Sequence, residues 1–180
     1  MKHFLLVMMC ATTLVAIQAG AEVIDRVMAV VDGQPITLSD VDAALTFQLV
    51  TPPAQADRLA GALDRLIDRA LMLTEVERYH PAPPPADQVE ARVAEIEQRA
   101  GSPAAFDRQL AAVGLSRDQL RRWVRDDLLI RAYLDERFGV STPGRAGLVR
   151  DWIASLRRRA EITTPYVATS KIGELVSWNW

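Results

Sequence analysis

The hydrophobic pattern changes period early in the chain. Residues 23 to 31 are mostly apolar and β-branched, Asp32-Gly33 follows as a two-residue turn signal, and Gln34-Pro35-Ile36-Thr37 reads as a short second strand. Asp-Gly favours positive φ at both turn positions, so this segment predicts a hairpin. Pro35 has no N–H to donate, which puts the second strand at a sheet edge. From Ser39 the period becomes helical. Ser39-Asp40-Val41-Asp42 reads as a capping box with Asp at its third position, opening a helix that Thr51-Pro52-Pro53 ends. From about 55 to 80, Leu59, Leu63, Leu66, Ile67, Ala70, Leu71 and Leu73 fall on one broad face of a long helix.

Pro81, Pro83, Pro84 and Pro85 then break the chain into an extended stretch, because each proline disfavours helix in the residue before it. A third helix is expected over 86 to 100, with Val89, Val93 and Ile96 in register and Gly101 closing it. Ser102 caps a fourth, with Pro103 in the favoured first position and Phe106, Leu110 and Val113 facing inward, and Gly114 stops it. Ser116 caps a fifth that reaches 138, before Gly139. A sixth runs from 145 to 159 with Leu148, Val149, Trp152, Ile153 and Leu156 on one stripe, and 161 to 164 read as a last short strand. The expectation is a mostly α fold of about six helices. Its small β element comes from the N-terminal hairpin and a candidate C-terminal strand, with the two ends of the domain packed together.

The first residues follow another logic. Met1-Lys2-His3 is a basic start, residues 4 to 17 are an apolar run, and Ala19-Gly20-Ala21 precedes Glu22. This is the three-part layout of a secretory signal, with Ala19 and Ala21 at the positions a signal peptidase reads. The run is shorter than the roughly 20 apolar residues of a membrane span and contains Thr12-Thr13. Residues 1–21 are therefore expected to be a cleaved signal peptide, with an uncleaved anchor as the alternative. The mature chain would hold 159 residues with a net charge of −3, no Cys, and His80 as its one histidine.

Those totals exclude thiol chemistry, Cys-based metal sites and mechanisms needing two histidines. The whole chain is 49% hydrophobic and 24% charged, which excludes a mostly disordered protein. A net charge of −2 and a pI near 5.7 carry no electrostatic footprint for nucleic acid. His80, beside the proline stretch, reads as a solvated loop residue. Glu75-Val76-Glu77 and Glu95-Ile96-Glu97 diverge around their helices and read as solvated faces. Arg157-Arg158-Arg159 suit the negative end of a helix dipole. No Gly-rich phosphate loop, Ser-His-Asp set or metal-ligand spacing is present, so neither a catalytic residue, a cofactor nor a metal is assigned.

Some apolar side chains fall off the main stripes. At about 100° per residue, Phe47 lies away from Val41 and Leu45, Met72 and Tyr79 lie opposite Leu59 and Leu66, and Leu129 and Tyr133 lie opposite Leu120 and Val124. Two readings stand. Either these helices are buried all round, or the five line a groove that binds unfolded chains, work that Met and aromatic side chains suit because they adapt to varied partners. The tail Trp178-Asn179-Trp180 is open to a frayed end, a short strand or an occupant of that groove.

The run from Asp25-Arg26-Val27-Met28-Ala29-Val30-Val31-Asp32-Gly33 through Ser39-Asp40-Val41-Asp42 resembles the start of the SurA-type periplasmic chaperones. Similar stretches follow in Ala62-Leu63-Asp64-Arg65-Leu66-Ile67-Asp68-Arg69-Ala70-Leu71-Met72 and in Gly114-Leu115-Ser116 leading into Leu120-Arg121-Arg122-Trp123-Val124. In that family one or two parvulin prolyl-isomerase domains come next, and a final helix and strand return to complete the chaperone core. Here the parvulin Gly-Gly-Asp-Leu-Gly stretch is absent, and Trp152-Ile153-Ala154-Ser155-Leu156-Arg157 with Ala160-Glu161-Ile162 resembles the returning helix and strand. The resemblance implies a chaperone core over 22–164, built from an N-terminal part at 22–140 and a returning part at 145–164, with a tail at 165–180. It implies an ATP-independent periplasmic holdase for unfolded envelope or outer-membrane proteins, without parvulin catalysis. A dedicated assembly partner of one envelope protein and an isomerase-related protein with residual activity are the rivals. No nucleic-acid partner and no stable membrane span are expected, and the sequence is compatible with a monomer and with a homodimer.

Overall fold

A computed structural model describes residues 25–54 and 56–165. The expected signal peptide, with Ala19 and Ala21, and the tail containing Trp178 and Trp180 lie outside the described residues. Among the described residues the order is β1 (Val27–Val31), β2 (Gln34–Thr37), α1 (Leu38–Thr46), α2 (Arg58–Glu77), α3 (Ala86–Arg99), α4 (Pro103–Ala112), α5 (Arg117–Phe138), α6 (Arg145–Arg159) and β3 (Ile162–Thr163). The three strands form one antiparallel sheet in the order β2-β1-β3. Pro35 does lie on an edge strand, and the mostly α fold with its small β element is the one expected.

The hairpin turns as its sequence dictates. Asp32 has φ 47° and Gly33 φ 82°, the paired positive angles of a tight two-residue turn. β3 then ties the two ends of the described part together, with Val30 opposite Thr163 and Val31 opposite Ile162. Asp32 reinforces the closure twice. Its N–H donates to the Glu161 carbonyl at 2.9 Å, and its carboxylate Oδ1 accepts from the Glu161 N–H at 2.9 Å.

Local boundaries depart from expectation at α1. Thr37, not Ser39, is the N-cap: its hydroxyl accepts from the Asp40 N–H, and the Asp40 carboxylate accepts from the Thr37 N–H at 2.8 Å. The Thr-x-x-Asp spacing satisfies both donors, while the Ser39 N–H donates to Asp25 at 3.2 Å. Burial alone would push the Asp25 carboxyl up, but hydrogen bonds from Thr37 and Ser39 outweigh it and hold the group below its ordinary range. The helix also ends at Thr46 instead of reaching the prolines, because Gln48 adopts φ 52° and turns the chain away. Elsewhere the caps fall where expected. Ser102 and Ser116 cap α4 and α5, the latter in a full box with Gln119.

Two hydrophobic cores result. The first gathers Met28, Ala29, Val31 and Ile36 of the sheet, Val41 and Ala44 of α1, Leu63, Leu66, Ile67 and Leu71 of α2, and Trp152 and Leu156 of α6. The second joins Phe47 to Val89, Val93 and Ile96 of α3, Phe106 and Leu110 of α4, and Leu120 and Val124 of α5. At about 1.5 Å per residue, α5 is long enough to serve both: its first half lies in the second core, and Tyr133, Leu134 and Phe138 pack on the first. Leu148, expected on the inner stripe of α6, is exposed, while Trp152, Leu156 and half-buried Ile153 of that stripe pack on the first core.

Candidate functional site

α2 is the post around which the site is built. Two arginines fix its neighbours. Arg157 of α6 donates to Asp68 at 2.6 Å and to Asp64 at 2.7 Å, which binds α6 to α2. Burial alone would lower the Arg157 pKa, but these two carboxylates raise it above its ordinary value. Asp68 is 8% exposed and is the one buried charged residue among those described, so its pairing with Arg157 and, at 3.8 Å, with Arg65 is needed. On α2's other side Arg69 donates to Asp127 of α5 at 2.7 Å and to the Trp123 carbonyl at 3.2 Å, and its guanidinium lies 4.6 Å from the Trp123 ring centre.

Between these fixed helices lies an open cleft of about 820 Å3. Its walls are the 49–53 segment, α2, α5 and the start of α6. The apolar part is Leu49, Val50, Pro52, Pro53, Met72, Ile130, Leu134 and Ile153, and the charged part is Arg65, Asp68, Arg69, Asp127, Arg131, Asp135 and Arg145. Gly61 shapes one wall. A Cβ there would meet Pro53 at 3.0 Å, Pro52 at 3.1 Å and Ala56 at 3.3 Å, so only a residue without a side chain lets the proline segment sit this close to α2. Burial pushes the Asp127 carboxyl above the ordinary carboxylate range, and Arg69 draws it only part of the way back.

The five residues singled out from the helical wheel separate. Met72 lines the cleft. Tyr79, 58% exposed, and half-buried Tyr133 meet at 5.5 Å between ring centres, and the row continues from Tyr133 to Trp152 at 5.8 Å and from Trp152 to Phe138 at 5.7 Å. Arg137 lies 5.9 Å from Tyr133, 5.5 Å from Phe138 and 5.8 Å from Trp152. Leu129 is half-buried and lines neither the cleft nor this row. Phe47 is a correction to the groove reading: at 3% exposure it belongs to the second core, edge-on to Phe106 at 5.8 Å. Phe47 keeps the helical period, since its N–H still donates to the Ala43 carbonyl at 3.0 Å, and the side of α1 away from Val41 meets the second core, so the helix end is buried on both sides.

Sequence reasoning missed most of the cleft. Ile130, Leu134 and Ile153 sit on ordinary amphipathic faces, and nothing in their spacing tells a face that meets another helix from one that borders a gap. Gly61 inside a long helix was the available signal, since a glycine there commonly marks a close approach. Among the described residues no group of three or more His, Cys, Asp and Glu is placed to hold a metal ion, and no helix is long and apolar enough to cross a membrane. A family model described as "SurA-like N-terminal domain" matches residues 1–134. No curated protein matches the chain.

Proposed function

This chain belongs to the SurA-like N-terminal domain family, and from that premise we propose that it is an ATP-independent periplasmic holdase for unfolded envelope proteins, outer-membrane proteins among them. The observation that carries the reading is the open cleft, lined by apolar side chains and by charged ones. An unfolded segment gains by burying apolar side chains there at about 25 cal/mol per Å2, while exposed charges such as Arg65 and Arg131 keep the complex hydrated. Ordering the segment costs several kcal/mol, so binding is weak and release needs no nucleotide. The family supports binding of unfolded proteins. The aromatic row of Tyr79 and Tyr133 lies at the same α2–α5–α6 junction and offers a further contact surface.

The test is light scattering of an unfolded outer-membrane protein diluted from urea. The chain at stoichiometric amounts is expected to slow aggregation. A double variant, Met72→Gln with Leu134→Gln, keeps side-chain size but makes the cleft lining more polar; it is expected to lose most of that protection with its helical spectrum unchanged. Aggregation unaffected by the parent chain overturns the reading.

A further inference from the structure

The cleft has a neighbour. A second depression of about 390 Å3 lies between α3 and α5, with Ala91, Ile96, Val124 and Leu128 among its lining residues. The two share Leu49, Asp127 and Arg131. Leu49 packs on the second core and its neighbour Val50 on the first, so this junction is where the two cores meet and apolar surface continues on both sides.

Charge at the junction is unbalanced. Asp127 is held by Arg69 at 2.7 Å, Asp68 by Arg157 at 2.6 Å, Glu95 by Arg92 at 2.6 Å, and Asp135 by Arg145. Arg131 is exposed and forms no ion pair with a carboxylate among the described residues. It stands where the two depressions join, with Asp127 one turn away as a charge that acts on it at longer range and is itself bound to Arg69. A polyanion such as nucleic acid would need a row of such cations, whereas one cation between apolar walls fits one carboxylate flanked by apolar residues.

We infer that the two depressions form a single groove for one extended polypeptide segment, and that Arg131 at its middle selects an Asp or Glu side chain within that segment. The inference rests on the client-binding reading and adds a preference to it. An exposed charge pair of this kind changes affinity roughly two- to fivefold, enough to rank segments of one client without locking any of them in place.

The probe is a labelled, unstructured peptide of about a dozen residues, long enough when extended at about 3.3 Å per residue to span both depressions. It is made from apolar and small polar residues with Gln, Glu or Lys at its centre, and binding is read by fluorescence anisotropy. The parent chain is expected to bind the Glu peptide two- to fivefold tighter than the Gln peptide, and the Lys peptide weakest. In Arg131→Gln the three converge, and in Arg131→Glu the order reverses. Ala91→Trp, which fills the second depression from an exposed helix position, weakens all three. An order unchanged in Arg131→Glu, or no order in the parent, overturns the inference. If the Gln peptide binds and the Met72→Gln, Leu134→Gln variant loses it, while the parent ignores the central charge, the holdase reading stands and this inference falls. If the parent binds none of the peptides, both fall.

Discussion

Asp127 shows how single residues carry both fold and site. It ties α5 to α2 through Arg69, yet burial holds its pKa above the ordinary value. A carboxylate whose folded pKa exceeds its unfolded one stabilises the fold fully below the unfolded value, and that contribution is lost as pH rises through the folded value. Asp127→Asn cannot titrate and does not lose it. The Tm of the variant relative to the parent is therefore expected to rise between about pH 3 and pH 7, with the change centred above the ordinary Asp pKa of about 3.9. A Tm difference that is flat or falls across that range contradicts the assignment. Residue types alone could not foretell this pair, since 58 positions separate Arg69 from Asp127. The same holds for Arg157 and Asp68, which are 89 apart. The sequence showed Arg157 at a helix end and Asp68 inside a helix. Which carboxylate each arginine would find depends on how the helices cross.

Helices and turns were far more legible than their pairings. Ser116 with Gln119, Ser102 with Pro103, and the Asp32-Gly33 turn each satisfy local backbone donors or angles, and local chemistry is what a short stretch of sequence displays. α1 failed at both ends for a local reason as well. Two hydroxyl residues, Thr37 and Ser39, competed for the cap, and Gln48 took a positive φ that no glycine advertised. The cleft depends on one such local choice. Gly61 gives up about 1 kcal/mol of helix propensity relative to Ala and in return lets Pro52 and Pro53 approach α2. In Gly61→Ala the proline rings have no soft end to yield, so the segment is expected to move outward. Hydrogen exchange should speed up at the Ala56 amide, whose N–H donates to the Pro53 carbonyl at 3.1 Å, while the amides of α2 stay protected. Unchanged exchange at that position would show that the segment tolerates the methyl group.

At the scale of the whole molecule, the returning helix and strand complete a core that the first 140 residues leave unfinished. Trp152 and Leu156 belong to the first core, and β3 pairs with β1. Removing two such side chains costs about 3–5 kcal/mol each, against a total stability of about 5–15 kcal/mol for a domain of this kind. A chain ending at residue 140 is therefore expected to keep much of its helical signal, lose its near-ultraviolet signature and bind hydrophobic dyes. Cooperative unfolding at the parent's Tm would contradict this. The same closure fixes the cleft, because Ile153 and Arg145 reach it from α6. The central claim is that this cleft receives unfolded client chains. Photocrosslinking tests it most directly, with a photoreactive residue at Met72 in the cleft lining and another at Arg108 on the exposed side of α4, each presented with an unfolded outer-membrane protein. Crosslinks at 72 and none at 108 are the predicted result; equal yields at the two positions, or crosslinks at 108 alone, would contradict the account.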